Sequence, residues 1–277
     1  MRPRFGKVKV ESKRYSATPE NPLTEFMRGP LAYIGGKRAP AKQIIDIFPR
    51  HKTYVEPFAG GAQVFFKKEP SEVEIINDLD LEMVTLFRVC QQHYEELTRY
   101  LRYMVVSRTW FNLLRDTHPA TLTDIQRAAR QLYLLKNSYA GLVRNPSFRY
   151  GTAQPPGFNP ERLPEIIEET HQRLARVQIE CLPYEKVLAK FDGASTLFYL
   201  DPPYYDRKLY KYNLEPDDFR KMAELLKKLR GKFVLSLNDV PEVRAIFKAF
   251  QIKGIDLSYT AQKIAGRRYR EGLITNF

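Results

Sequence analysis

The chain has 277 residues and a mass of 32.4 kDa, enough for one full core and a smaller appended unit. Its composition, 43% hydrophobic and 28% charged, is ordinary for a soluble globular protein, and no run approaches the roughly 20 apolar residues that a membrane span needs. A formal charge of +13 and a pI near 9.6 favour a polyanionic partner, because Lys and Arg that neutralise phosphates release condensed counterions.

Residues 1–28 carry Arg2, Arg4, Lys7, Lys9, Lys13 and Arg14 with few apolar runs, and read as a basic N-terminal arm. Nothing in them has the apolar centre of a secretory signal, so the expected location is cytoplasmic. From Gly29 the pattern becomes α/β. A Gly-rich turn at Gly35-Gly36 precedes a helix over Ala39 to Ile47 and a short strand, Thr53-Tyr54-Val55. Next come the turn Phe58-Ala59-Gly60-Gly61, an apolar helix from Ala62 to Lys67, and a strand Val73-Glu74-Ile75-Ile76 that ends on Asn77-Asp78. Strand, glycine turn, helix, strand and acid in that order make the nucleotide-binding half of a doubly wound sheet.

Between Leu81 and Arg176 helical periods take over, as in Leu97, Leu101 and Met104 and again in Ile125, Ala128, Ala129, Leu132 and Leu135. A mostly helical insertion is the simplest reading. From Arg88 to Tyr150 it holds ten Lys or Arg against four Asp or Glu, with Tyr94, Tyr100, Tyr103, Trp110, Tyr133, Tyr139, Phe148 and Tyr150 interleaved. Basic side chains suit phosphates and flat rings suit unstacked bases. Charge alone does not separate a nucleic-acid binder from a protein with a solvated basic surface; this distribution favours the binder. Strands resume at Val177 to Cys181, Thr196 to Leu200 and Phe233 to Leu237, with a helix from Pro216 to Leu229 between the last two. The expected division is 1–28 as the arm, 29–80 with 177–277 as the catalytic domain, and 81–176 as the inserted recognition domain.

Cys90 and Cys181 stand alone in apolar or helical contexts and are expected to be reduced, buried thiols. His51, His93, His118 and His171 are far apart, without the spacing of a zinc site, so metal-free chemistry is expected.

The sharpest chemical feature is Asp201-Pro202-Pro203-Tyr204, placed where the apolar run Leu197 to Leu200 stops. Ligands of open α/β sheets bind at the carboxyl ends of strands. Two consecutive prolines remove two backbone donors and leave rigid carbonyl acceptors beside one carboxylate and one ring. Such a site receives a donor. A flat molecule with an NH₂ group fits it, the Asp201 carboxylate and the Pro202 carbonyl each accepting one amine hydrogen while Tyr204 covers the face. The same tetrapeptide can also end any strand as a plain turn, but its place in a chain with a nucleotide-binding half favours the functional reading.

At this point the sequence resembles the Dam-type DNA adenine methyltransferases, the α-ordered D12 class. The resemblance rests on motifs in order across nearly the whole chain after the arm: Tyr33-Ile34-Gly35-Gly36-Lys37, Glu56-Pro57-Phe58-Ala59-Gly60-Gly61, Asn77-Asp78, Tyr139-Ala140-Gly141-Leu142-Val143-Arg144, Asp201-Pro202-Pro203-Tyr204, Ser236-Leu237-Asn238-Asp239, and Arg268 to Glu271 with Leu273-Ile274-Thr275-Asn276. It implies a Rossmann-like α/β sheet with an inserted, mostly helical DNA-recognition domain, S-adenosyl-L-methionine as methyl donor, and N6 of a flipped-out adenine as acceptor. The expected cofactor residues are Tyr33, Gly35, Gly36, Lys37, Glu56, Pro57, Phe58, Ala59, Gly60, Gly61, Asp78 and Asp201. Asp78 fills the position, about 20 residues past the glycine turn, where nucleotide-binding units hold a ribose diol, and Asp80 is its nearby competitor. Asp201, Pro202, Pro203 and Tyr204 are the expected catalytic residues.

Double-stranded DNA is the implied partner, and a cognate restriction endonuclease is compatible with the family. Lys37, Tyr139, Leu142, Arg144, Asn145, Arg149 and Tyr150 are the expected DNA-binding residues. Leu142 and Arg144 match a recognition motif in which an apolar side chain meets a thymine methyl and an arginine bonds guanine. The chain departs from GATC-specific relatives at Ala32, where they carry lysine, and at Pro183, where many carry aspartate. Rival readings are methylation of RNA or of a protein amide, a catalytically silent DNA-binding protein of the same fold, and a nucleotide-dependent dehydrogenase. The last has no use for the tetrad.

Overall fold

The computed structural model describes residues 41–138, 146–149, 156–207, 210–257 and 269–277. Seven strands form one sheet: β1 (Thr53–Glu56), β2 (Val73–Asn77), β3 (Gln178–Glu180), β4 (Thr196–Leu200), β5 (Lys232–Asn238), β6 (Gln251–Leu257) and β7 (Tyr269–Thr275). Their order is β3-β2-β1-β4-β5-β7-β6. The first five are parallel to one another, whereas β7 runs antiparallel to both β5 and β6. The chain steps outward from β1 to β2 and β3, then returns to the other side of β1 to lay down β4. That reversal opens a crevice at the carboxyl ends of β1 and β4, the place where such Rossmann-like sheets bind ligands.

The period-2 alternation of strands explains the layering. Tyr54, Ile76, Leu197, Tyr199, Val234 and Leu273 enter one apolar cluster, while Val55, Ile75, Phe198, Leu200, Phe233, Leu235, Leu237 and Ile274 enter another. Helices α8 (Tyr184–Phe191), α9 (Pro216–Leu226) and α10 (Pro241–Ile246) cover the second face. The first is covered by α1 (Ala41–Ile45), α2 (Gln63–Lys67), α3 (Leu81–Gln92), α4 (Tyr94–Leu101), α5 (Arg108–Asp116), α6 (Asp124–Asn137) and α7 (Leu163–Leu174). The helical segment thus shares one continuous apolar cluster with the sheet. Side-chain caps start its helices: Asp80 accepts from Glu82 N–H, Ser107 from Trp110 N–H, and Thr123 forms a reciprocal capping box with Gln126. Among the described residues no helix is long and apolar enough to cross a membrane.

A buried ion cluster joins α7 to this frame. Glu74 on β2 takes Lys68 Nζ at 2.5 Å and a bidentate grip from Arg173, whose Nη2 lies 2.9 Å from Oε1. Arg173 also donates to the Phe65 carbonyl at 3.1 Å and lies over the Phe65 ring at 3.7 Å. Burial alone would push the Glu74 carboxyl up; the hydrogen bonds and charges of Arg173 and Lys68 outweigh it and hold the group below its ordinary range.

Several expectations need correction. Cys181 is exposed, because β3 is a three-residue edge strand and the thiol lies just past its end; only Cys90 is buried, which pushes its thiol up to about 12. The helix expected from Ala62 starts one residue later, since Ala62 is its N-cap with a left-handed φ of 49°. The helix expected over Ala39 to Ile47 ends at Ile45, and its first two residues lie outside the described residues. The structure adds α8, α10, β6 and β7, none of which the periodicity announced. Edge strand β6 mixes Gln251, Lys253 and Gly254 with its apolar residues, and β7 carries Glu271 and Gly272, so neither shows a clean alternation.

Candidate active site

Strand β1 ends on Glu56, and the chain turns at once through Pro57, Phe58, Ala59, Gly60 and Gly61 into α2. Gly60 has φ 48°, a left-handed conformation that costs glycine little, and Ala62 takes φ 49° with the strain a Cβ brings. The turn is tied to the end of β2. Ala59 N–H donates to the Asn77 carbonyl at 2.8 Å, Gly60 N–H donates to Asp78 Oδ2 at 2.7 Å, and Asn77 Nδ2 donates to the Pro57 carbonyl at 2.8 Å. Asn77 reaches β3's exit as well, taking Leu182 N–H at 2.8 Å and donating to its carbonyl at 3.0 Å.

These segments wall a cavity of about 510 Å³, a volume typical of small-molecule and cofactor sites. Glu56, the glycine turn, Asp78, Asp80, Tyr199, Asp201 and Pro203 line it from the strand ends. Phe58, Leu182, Pro183 and Tyr184 give it an apolar flank, with the Phe58 and Tyr184 rings 5.2 Å apart. Residues 210–214 line another side.

Two carboxyls in the cavity are electrostatically unusual. Glu56 is 2% exposed and takes the Tyr54 hydroxyl at 2.6 Å. Burial raises its pKa to about 8; the Tyr54 hydrogen bond resists that rise, and the nearby Asp201 charge adds to it. Asp78 is raised to about 6 by desolvation, against the opposing N–H groups of Asp80 and Gly60. Asp80 N–H donates to Asp78 Oδ1 at 2.8 Å and the Leu79 backbone adds a further bond, which leaves part of the carboxylate's acceptor capacity unused. Asp80, the competitor, is buried, caps α3 and takes Lys211 Nζ at 3.1 Å.

The tetrad Asp201-Pro202-Pro203-Tyr204 leaves the end of β4, whose five residues are all buried. Asp201 and Pro203 face the cavity, Pro202 is buried, and Tyr204 is not among the lining residues. Its hydroxyl instead donates to Glu271 Oε1 at 3.3 Å. The next residue is gripped by Asn238, which accepts from Tyr205 N–H at 2.9 Å and donates to its carbonyl at 3.3 Å. Sequence reasoning assigned no role to Asn238, Glu271 or Lys211. A signal was present for Asn238: like Asp201, it is a polar residue closing an apolar strand run.

Of the other expected site residues, Tyr33, Gly35, Gly36, Lys37, Tyr139, Leu142, Arg144, Asn145 and Tyr150 lie outside the described residues. Arg149 is exposed, and its N–H donates to the Asn137 carbonyl at 2.7 Å. Beside it Phe148 bridges Ser138 in an antiparallel pair and sets its ring edge-on to Phe111 at 5.5 Å, with Arg108 5.9 Å above the ring. Tyr100 and Tyr103 are exposed next to exposed Arg99 and Arg102. Among the described residues no cluster of three or more His, Cys, Asp or Glu could hold a metal ion.

Comparison with known proteins returns a consistent picture. A family model described as D12 class N6 adenine-specific DNA methyltransferase matches residues 33–261. A Type II methyltransferase of Lactococcus lactis subsp. cremoris is 26% identical over 272 residues, covering 88% of this chain and 94% of its own. A second Type II methyltransferase, from Paramecium bursaria Chlorella virus NC1A, is 22% identical over 250 residues, covering 87% and 94%. The DNA adenine methylase of Escherichia coli is 26% identical over 183 residues, covering 63% and 64%.

Proposed function

The chain belongs to the D12 class N6 adenine-specific DNA methyltransferase family, and from that premise we propose that it moves a methyl group from S-adenosyl-L-methionine to N6 of an adenine rotated out of duplex DNA. The observation that carries this reading is the convergence of the glycine turn after β1 and the tetrad after β4 on one cavity at the sheet's reversal point.

The residues present fit that cofactor. The apolar flank of Phe58, Leu182, Pro183 and Tyr184 suits a purine ring, and Pro183 rather than aspartate leaves that contact to stacking. Asp78 keeps acceptor capacity for a ribose diol, while Asp80 is engaged by Lys211. Gly60, Gly61 and the buried Glu56 line the end where a cationic amino-acid portion is accommodated. When bound, S-adenosyl-L-methionine supplies an electrophilic methyl on its sulfonium.

The chain's own work is done at Asp201 and Pro202. The adenine amine is a weak nucleophile because its lone pair is delocalised into the ring. Hydrogen bonds from N6–H to the Asp201 carboxylate and the Pro202 carbonyl favour the pyramidal geometry in which that lone pair is free to attack, and the Asp201 carboxylate is placed to take the proton that N6 sheds. Tyr204 stacks on the base, offsetting part of the few kcal/mol that extrusion from the duplex costs. Residues 81–176, with Arg149 and the exposed Arg99, Tyr100, Arg102 and Tyr103, present DNA-facing chemistry, and the basic arm 1–28 adds to it.

The test is incubation with duplex DNA and labelled S-adenosyl-L-methionine, followed by sequencing that detects modified bases. N6-methyladenine at a defined site is the expected product. Label transferred to RNA or protein alone, or to no acceptor, refutes the reading.

A further inference from the structure

A buried carboxylate stands behind the tetrad. Glu271 is 1% exposed on β7, where Gly272, Leu273 and Ile274 follow it as buried, apolar neighbours. An ionisable group in such a strand is costly to desolvate, and an aliphatic side chain would close the sheet at lower cost. Its retention calls for a task that only an acceptor performs.

The neighbours supply one. Strands β5 and β7 pair with Asn238 opposite Glu271 and Ser236 opposite Leu273. On the face it shares with Leu273, Glu271 Oε1 accepts a hydrogen bond from Ser236 Oγ and a second, at 3.3 Å, from the Tyr204 hydroxyl. The strand partner Asn238 meanwhile holds both backbone groups of Tyr205. The paired ends of two strands therefore hold two consecutive residues of the segment leaving β4, one through its side chain and one through its backbone.

We propose that Glu271 is a positioning residue for methyl transfer, with Ser236 fixing its carboxylate so that Glu271 in turn fixes the plane of the Tyr204 ring. The inference rests on the reading of Tyr204 as the surface on which the extruded adenine stacks. A free tyrosine side chain moves among staggered rotamers, whereas a hydroxyl tied to an immobile acceptor selects one. The tether acts on orientation rather than on cofactor affinity, so its loss reads in kcat.

The experiment uses the full chain with Tyr204→Phe, Glu271→Ala, Glu271→Gln and the Tyr204→Phe/Glu271→Ala double variant, assayed on the methylation site established for the wild type. Tyr204→Phe keeps the stacking ring, leaves β7 untouched and removes the tether from its other end. It should lower kcat by about tenfold or more while the KM for S-adenosyl-L-methionine stays within about twofold. Glu271→Ala should lower kcat similarly, Glu271→Gln should recover most of it because an amide oxygen still accepts, and the double variant should be no slower than Tyr204→Phe alone. Wild-type kcat in Tyr204→Phe, or losses that multiply in the double variant, overturn the proposal. A second readout needs no activity: 3-fluorotyrosine at position 204 should show a ¹⁹F resonance that moves on Glu271→Gln, and an unmoved resonance also overturns the tether. A wild-type protein that methylates no DNA refutes the function proposed above, while the resonance still decides the tether.

Discussion

Replacing Glu56 with glutamine tests the electrostatics of the cavity most directly. The carboxyl is buried and its pKa rises from 4.5 to about 8, so the folded protein holds a proton there that the unfolded chain has released above pH 4.5. Its contribution to stability is complete below pH 4.5 and is lost as pH climbs toward 8. At roughly 1.4 kcal/mol per pH unit, the loss reaches about 3 kcal/mol by pH 7. Glutamine cannot titrate, and its amide oxygen can still take the Tyr54 hydroxyl. Glu56→Gln should therefore raise the stability of the cofactor-free protein at pH 7 by about 3 kcal/mol and flatten its stability profile between pH 4.5 and 8. Urea unfolding across that range measures both. Cofactor binding supplies an independent arm, because a cation placed near Glu56 favours the ionised form. Wild-type protein should release a proton on binding S-adenosyl-L-methionine near pH 7, seen by calorimetry in buffers of different ionisation enthalpy, and the variant should not. Parallel stability profiles for the two proteins would refute the assignment of a neutral, buried Glu56.

Asp201→Ala should abolish transfer while cofactor affinity stays within a few-fold, since the carboxylate is assigned to the amine; near-normal turnover would remove it from the mechanism. Asp78→Ala should weaken the cofactor by about 1–3 kcal/mol, the scale of a hydrogen bond to a charged group, and Asp80→Asn should do so less because Asp80 is engaged by Lys211. Isothermal titration compares the two, and the opposite ranking would transfer the ribose contact to Asp80. DNA affinity should fall with added salt at a log–log slope of about −0.9 per neutralised phosphate; Arg144→Ala should relax preference at one base rather than weaken all sequences alike, as methylation of a randomised library would show.

The parts of the fold that sequence made legible are those where chemistry and period coincide. Strands β1, β2 and β4 are short apolar runs, each ended by an abrupt change of character at Glu56-Pro57, Asn77-Asp78 or Asp201-Pro202. The termini of parallel strands are also where ligands bind, so the same break marked both the element and the site. The antiparallel end of the sheet escaped this logic. β6 and β7 carry charge and glycine within their spans, and their identity depends on pairing, β7 with β5 and β6 with β7, which local period does not report. Asn238 and Glu271 stood within quoted motifs, but their roles were hidden for the same reason, because their partners lie 33 and 67 residues away. Cys181 misled in the other direction: an apolar neighbourhood in sequence lies at the exposed edge of the sheet.

The ion cluster around Glu74 shows how the helical segment can bear on the cavity without touching it. Arg173, the one arginine within α7, donates to the Phe65 carbonyl in α2, and Lys68, the C-cap of α2, shares the same glutamate. Both ties hold the short helix that follows the glycine turn, while Asn77 and Asp78 hold the turn itself from the next strand. Removing one member of such a cluster leaves a buried charge unpaired, a cost of about 3–5 kcal/mol in comparable cases. Helix α7 is therefore bound to the turn's own helix through a shared buried glutamate. Helix α7 also packs in the same apolar cluster as α4 and α2, so the helical segment and the helix behind the turn are physically linked. The tetrad is held in the same way from the opposite side, by Asn238 and Glu271 on paired strands.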